Sequence, residues 1–276
     1  MRKILVFYPG ALGDLLLAAP VFSALQNAST PAVVHLVGSL PQARILVALG
    51  LLSKIFSFDD PFFLPLFSEA PLPASFQNWL RSYEYILFWL QGPVHPNLAE
   101  WPRVLVVNPR PFPHPAVHHA QFLYNAVRQF FHLPLQNVVP FTLEEAPPKK
   151  KPPRLLIHPG SGSPEKNWEI ENFKRLAERW KKRFEGEVLL LLGPAEQDAL
   201  GLWQDWALFK EYRMVTSRSW PELLTIVRDA DFYAGNDSGI SHLSGLLGKS
   251  GWVFFRTTDP KIWRPLGRGL LPVKVA

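Results

Sequence analysis

Val188-Leu189-Leu190-Leu191-Leu192 is an unbroken apolar run, and short stretches like it recur along the 276 residues. A strand with one wet face alternates apolar and polar side chains, whereas a strand apolar at every position is covered on both faces. Such strands belong to parallel sheets sandwiched between helices. The rest of the pattern agrees. In the first half, strands are predicted at 3–8, 33–37, 55–58, 84–90 and 103–108, and helices at 14–26, 41–49 and 119–131. The last helix has apolar residues at 122, 123, 126, 127, 130 and 131, the helical spacing. In the second half, strands at 154–158, 187–192, 213–216, 231–234 and 252–255 alternate with helices at 168–184, 195–209, 220–230 and 238–247. Repeated β-α alternation implies parallel sheets with helices on both sides. The expected fold is α/β: two Rossmann-like, doubly wound domains facing across a cleft.

Hydrophobic residues make up 47% of the chain and charged residues 19%, enough for a real core and too apolar for wholesale disorder. There is no cysteine, so disulfides and thiolate metal sites are excluded. The net charge of +6 is unevenly placed: residues 1–148 hold 8 Lys/Arg and 8 Asp/Glu, whereas 149–276 hold 21 and 15. Part of that excess is Lys149-Lys150-Lys151 and Arg154, flanked by Pro147, Pro148, Pro152 and Pro153. A proline-rich charged stretch between apolar segments reads as a semi-stiff linker. The expected division is 1–148, a linker at 149–153, and 154–276. The basic excess suits a polyphosphate ligand or an anionic membrane face, and equally a solvated surface. No basic-aromatic module for nucleic acid is present. The apolar stretch after Arg2 and Lys3 is too short for a secretory signal, and no run approaches the length of a spanning helix. The expectation is a soluble cytoplasmic protein, with peripheral contact at the inner membrane as a further option.

Ligands of open α/β sheets sit beyond the carboxyl ends of strands, and three loops there carry unusual chemistry. Pro9-Gly10-Ala11-Leu12-Gly13-Asp14 follows the first strand. Gly10 and Gly13 permit close backbone approach, and Asp14 at a helix start is either an N-cap or a general base. The third glycine of a dinucleotide fingerprint is missing. His158-Pro159-Gly160-Ser161-Gly162-Ser163-Pro164-Glu165-Lys166-Asn167-Trp168 follows the first strand of the second half. Its small residues let amides and the hydroxyls of Ser161 and Ser163 reach an anion, and Lys166 adds the charge that stabilises a departing diphosphate. It lacks the ending of a Walker loop, and a plain surface loop is the competing reading. The third loop is Gly235-Asn236-Asp237-Ser238-Gly239-Ile240-Ser241-His242, read as a tight turn between a buried strand and a helix. It aims amides and a helix dipole at one point, which either binds phosphate or merely caps the helix. Asp237 and His242 project beside that point.

These loops, in this order, resemble glycosyltransferase family 9, the heptosyltransferases of lipopolysaccharide core assembly. The matching residues are Ile4-Leu5-Val6 with Leu12-Gly13-Asp14-Leu15-Leu16-Leu17-Ala18-Ala19-Pro20, His119-Ala120, His158-Pro159-Gly160-Ser161 and Lys166-Asn167-Trp168. Leu192-Gly193-Pro194-Ala195-Glu196, the Gly235 to His242 stretch, Thr258-Asp259-Pro260 and Trp263 continue the series. The resemblance implies a GT-B architecture and inverting, metal-independent transfer of a sugar, typically heptose from ADP-heptose, to a hydroxyl of Kdo or heptose on a lipid-linked or oligosaccharide acceptor. It implies no cofactor beyond the nucleotide-sugar donor. It makes Asp14 the base, and gives Ser161, Lys166 and the amides of Ser238 and Gly239 to the donor diphosphate, with Gly162 and Ser163 in the same loop. Asp237 would meet the sugar hydroxyls and His242 the phosphate or sugar. The family pattern usually continues beyond this C-terminus into a helix. A silent sugar-nucleotide-binding protein, or a sugar-nucleotide epimerase or hydrolase on the same fold, are the alternatives.

Smaller features have two readings each. Arg44, Arg81 and Arg110 are the candidates in the first half for gripping an anionic acceptor. Phe56, Phe58, Phe62, Phe63 and Phe67 form either core or an aromatic rim against a membrane. His114, His118 and His119 hint at a metal site, but no carboxylate lies nearby and Pro115 disturbs the spacing, so no metal is expected. Ser238 lacks the Gly-x-Ser-x-Gly setting of a hydrolase nucleophile.

Overall fold

Two all-parallel sheets organise the chain, in a computed structural model that describes residues 2–99, 101–111, 113, 116–145, 148–193, 210–217 and 219–275. Contacts divide it into two units, Met1–Val138 and Val139–Ala276.

The first unit runs β1 (Arg2–Phe7), α1 (Leu12–Leu17), α2 (Ala19–Gln26), β2 (Ala32–Gly38), α3 (Leu40–Ala48), β3 (Lys54–Ser57), a 3₁₀ segment (Pro61–Phe67), α4 (Ala74–Arg81), β4 (Tyr85–Trp89), α5 (Pro96–Ala99), β5 (Val104–Val107) and α6 (His119–Arg128). Its five strands are ordered β3-β2-β1-β4-β5. The order reverses beside β1, which pairs with β2 on one side and β4 on the other. That is the switch point at which doubly wound sheets open a crevice. One face of the sheet packs Leu5, Phe7, Ile86 and Phe88 against Phe63, Phe76 and Leu80.

The second unit runs β6 (Arg154–His158), a 3₁₀ turn (Pro164–Lys166), α7 (Ile170–Phe184), β7 (Glu187–Leu192), β8 (Arg213–Thr216), α8 (Trp220–Asp229), β9 (Phe232–Asn236), α9 (Gly239–Leu246), β10 (Ser250–Phe255), α10 (Pro260–Trp263) and β11 (Leu270–Lys274). Its six strands are ordered β11-β10-β9-β6-β7-β8. Here the order reverses between β6 and β9, which pair directly. The apolar run at 188–192 is buried throughout, as a covered strand must be. No helix among the described residues is long and apolar enough to cross a membrane.

Differences from the sequence reading are local. The helix expected at 14–26 is two helices, because Pro20 lacks the amide an uninterrupted helix needs and the second helix restarts at Ala19. Gly235 and Asn236, expected in a turn, are the last residues of β9, in register with Val253 and Phe254 of β10. In the aromatic segment Phe63 is in the core, whereas Phe62 and Phe67 are exposed. Residues 139–145, placed in the first domain by the sequence reading, bond to the second unit: Phe141 N–H donates to the Leu266 carbonyl at 3.0 Å and Leu143 N–H to Leu246 at 2.8 Å. The stretch expected as linker is tied down as well, with Lys150 N–H donating to Asp231 Oδ1 at 3.0 Å. The helix expected at 195–209 lies outside the described residues, as do His114 and the Pro194-Ala195-Glu196 part of the family-like series.

Candidate functional site

Each unit gathers sequence-selected residues at the carboxyl edge of its own sheet, beside its switch point.

In the second unit the loop leaving β6 and the loop leaving β9 are neighbours because those strands pair. Asn236 fastens them together. It is fully buried, its side-chain amide donates to the Pro159 carbonyl, and its Oδ1 accepts the Trp168 N–H at 2.9 Å. Trp168 stacks on Phe254 with ring centroids 4.0 Å apart, which anchors the far end of the β6 loop. Within that loop the Ser161 hydroxyl lies 2.7 Å from Asn167 Oδ1 and 2.6 Å from the Ser163 carbonyl, and accepts the Ser163 N–H at 3.3 Å. Ser161 therefore shapes the loop. Gly162 is exposed, and nothing lies within 4 Å of where a Cβ would stand.

Lys166 and Asp237 form the charged centre. Their Nζ and Oδ2 are 3.0 Å apart, the Thr258 hydroxyl donates to the same Oδ2 at 2.7 Å, and His242 Nε2 stands 3.7 Å from Oδ1. Burial alone would raise the Asp237 carboxyl, but the adjacent His242 ring, the Lys166 charge and the Thr258 hydroxyl outweigh it. Together they hold the group well below the usual carboxylate range. Asp237 is therefore an anion whose charge is shared among three neighbours. Ser238 caps α9, accepting the Ser241 N–H at 3.4 Å, and Gly239 opens the helix. The positive end of that helix dipole thus points where Lys166 already adds charge, an arrangement that favours a phosphate. The other ring nitrogen of His242, Nδ1, is buried with no partner among the described residues.

In the first unit, Asp14 is the third residue of α1 and is 7% exposed. Its Oδ2 accepts the Ala11 N–H at 3.2 Å, and its Oδ1 pairs with the Arg110 guanidinium. Asp14 is not the N-cap, which is Ala11; from the third helical position one of its oxygens bonds back to the Ala11 amide and the other meets Arg110. Gly10 is there because the turn is crowded. A Cβ at that position would come 3.0 Å from the Asp14 Cβ and 3.2 Å from the Tyr8 ring. Gly13 sits inside α1, one residue before Asp14. Of the three arginine candidates, only Arg110 joins Asp14; Arg44 is exposed on α3 and Arg81 lies over the Trp101 ring. His118 caps α6 by accepting the Ala120 N–H at 3.3 Å, and no group of three potential metal ligands occurs among the described residues.

Sequence reasoning did not assign Asn236 and Thr258. Both lie inside motifs it quoted, but their side-chain partners are 68 and 21 residues distant at the nearest. Their tasks depend on strand pairing, which no local signal encodes.

Two doubly wound parallel-sheet domains, the second with Lys166 and Asp237 at the head of a helix, are the architecture of GT-B glycosyltransferases. A family model described as glycosyltransferase family 9 (heptosyltransferase) matches residues 116–273, more than half of the chain, and the chain belongs to that family. No curated protein matches it. Among solved structures it is similar to Escherichia coli heptosyltransferase WaaC with ADP, at 12% identity and TM-score 0.72, covering 100% of this chain and 94% of that one. It is also similar to the glycosyl transferase family 9 protein of Veillonella parvula DSM 2008, at 14% identity and TM-score 0.71, covering 99% and 86%. A third is the E. coli ADP-heptose lps heptosyltransferase II, at 14% identity and TM-score 0.63, covering 100% and 91%. Likeness at this identity concerns the fold, and the fold is shared over essentially the whole chain.

Proposed function

We propose that this glycosyltransferase moves a heptose from ADP-heptose to a hydroxyl of Kdo or heptose on a lipid-linked, lipopolysaccharide-core-type acceptor, with inversion at the anomeric carbon. The observation that carries the reading is the Lys166–Asp237–His242–Thr258 cluster at the head of α9, which lies within the family-matched span. The second unit binds the donor. Lys166 and the amides of Ser238 and Gly239 take the diphosphate, and the loop shaped by Ser161, Gly162 and Ser163 closes around it. Asp237 stays ionised and takes sugar hydroxyls as hydrogen-bond donors. His242 offers its buried ring to a phosphate or sugar oxygen.

The first unit binds the acceptor, and Asp14 is the base. The acceptor oxygen attacks the anomeric carbon, its proton passes to Asp14, and the bond to the diphosphate breaks with ADP leaving. Lys166 and the helix amides stabilise the charge that develops on the departing phosphate. These residues complete a transfer with no metal.

The test is transfer by the purified chain from ADP-heptose to a Kdo-bearing lipid acceptor, with UDP- and GDP-sugars as competing donors. Asp14→Asn should fold as wild type does and lose roughly 10²- to 10⁴-fold in kcat, the range a positioned general base supplies. Near-wild-type transfer by that variant would remove Asp14 from the role.

A further inference from the structure

Tyr8 is a buried polar group that the transfer reading leaves unused. It follows β1 directly and is 3% exposed, and its hydroxyl has no hydrogen-bond partner among the described residues. At the end of the adjacent strand β4, Trp89 Nε1 is also buried without a partner among them. The two rings meet edge-on, with centroids 5.1 Å apart. Both groups therefore stand at the carboxyl ends of the two strands that flank the switch point, where α/β sheets take their ligands. Leaving a buried donor unsatisfied is destabilising, and a ligand oxygen would offset that cost.

The hydroxyl end of Tyr8 shares its corner with Asp14. A Cβ built on Gly10 would touch the Tyr8 ring at its Cε2 and Cζ, both 3.2 Å away, and the Asp14 Cβ at 3.0 Å. Burial first, and then the Asp14 charge, push the Tyr8 phenol above the ordinary tyrosine range against the opposing pull of Arg110. Tyr8 is thus a committed hydrogen-bond donor beside the carboxylate. The side chain that pairs with Asp14, Arg110, is 49% exposed, so that ion pair faces solvent.

We propose that Tyr8 is a specificity-determining residue for the acceptor. Its hydroxyl donates to the acceptor oxygen adjacent to the one that reacts, so Asp14 and Tyr8 together read two neighbouring hydroxyls of the acceptor sugar. Carboxylate and phenol bordering the same glycine suit a vicinal diol, which offers one oxygen to each. The inference rests on the transferase reading with Asp14 as base, and adds to it the feature of the acceptor that is recognised.

The experiment compares wild type with Tyr8→Phe in the full chain, by thermal melting and by initial rates with ADP-heptose. Acceptors are a Kdo glycoside and its monodeoxy analogues, one for each hydroxyl. Tyr8→Phe should melt at or above the wild-type temperature, because it removes an unsatisfied buried group. Its kcat/KM for the intact acceptor should fall about 10- to 100-fold with the donor KM unchanged. One deoxy analogue, missing the neighbouring hydroxyl, should be used equally by both proteins. A folded Tyr8→Phe with unchanged acceptor kcat/KM overturns the inference while leaving the transferase reading standing. So does a variant that melts well below wild type, since the hydroxyl would then have a structural task. If wild type transfers nothing to any of these acceptors, the transferase reading fails and the inference with it.

Discussion

Asp237 shows how much a single buried carboxylate organises. Burial alone would favour its neutral form, yet His242, Lys166 and Thr258 converge on its two oxygens and keep it ionised. A carboxylate whose native pKa is depressed stabilises the fold fully above its unfolded value, near 4, and loses that contribution as pH falls toward the native value. Asp237→Asn should therefore cost on the order of 1–3 kcal/mol at pH 7. The gap between variant and wild type should narrow progressively as pH drops below about 4. Urea denaturation of both proteins at neutral and acid pH checks this, and a gap that does not change with pH would mean the charge contributes nothing. Asp237, Lys166 and His242 were legible because each sits in a short motif whose composition already suggests an anion site. Thr258 was quoted but unassigned, since only the pairing of β9 with β10 places the segment after β10 near Asp237.

At the scale of elements, the β6–β9 pair sets the distance between the two loops proposed to hold the donor, and Gly235 controls how closely those strands approach. A Cβ there would fall 2.7 Å from the His158 carbonyl oxygen and 2.2 Å from the Tyr233 hydroxyl, which is itself 2.9 Å from the Ser241 hydroxyl. Gly235→Ala must push against backbone on one side and a buried hydrogen bond on the other. The expected loss is about 1–3 kcal/mol of stability, the usual cost of overpacking, together with weaker ADP binding because Asn236 and Asp237 follow immediately. Chemical denaturation and ADP titration read the two effects, and a variant unchanged in both would show that the strands can part freely. Strand identity was the most legible level of the fold. Apolar runs such as 155–157 and 188–192 have few alternatives once they recur between helices. Helices as short as Gly239–Leu246 were legible, but Ala74–Arg81, of the same length, was not. Ala74–Arg81 buries just Phe76 and Leu80, scarcely two turns of periodicity behind Pro71 and Pro73, so no helical pattern emerges from the aromatic segment. The interruption at Pro20 was hidden because the apolar spacing continues smoothly across it.

For the whole molecule, the residues proposed to bind the donor belong to one unit alone: 158–168, 235–242 and 258 all lie within Val139–Ala276. A ligand that binds only the native state stabilises it by about 2.7 kcal/mol at 100 times its Kd. Each kcal/mol is worth roughly 2–4 °C in a chain of 150–250 residues. Saturating ADP should therefore raise the melting temperature of the full chain by several degrees, and more than UDP or GDP does. If Lys166 holds the diphosphate as proposed, Lys166→Ala loses about 1.4 kcal/mol or more of affinity, which is at least tenfold in Kd. The ADP-induced shift should shrink accordingly. Location is the sharper check, because any weak ligand moves a melting curve. Amide hydrogen exchange with and without ADP should slow most at 158–168 and 236–244, where strand ends and the first turn of α9 meet the diphosphate. Protection spread evenly over both units, or centred on the Asp14 loop, would place the nucleotide elsewhere and remove Lys166 from the donor pocket.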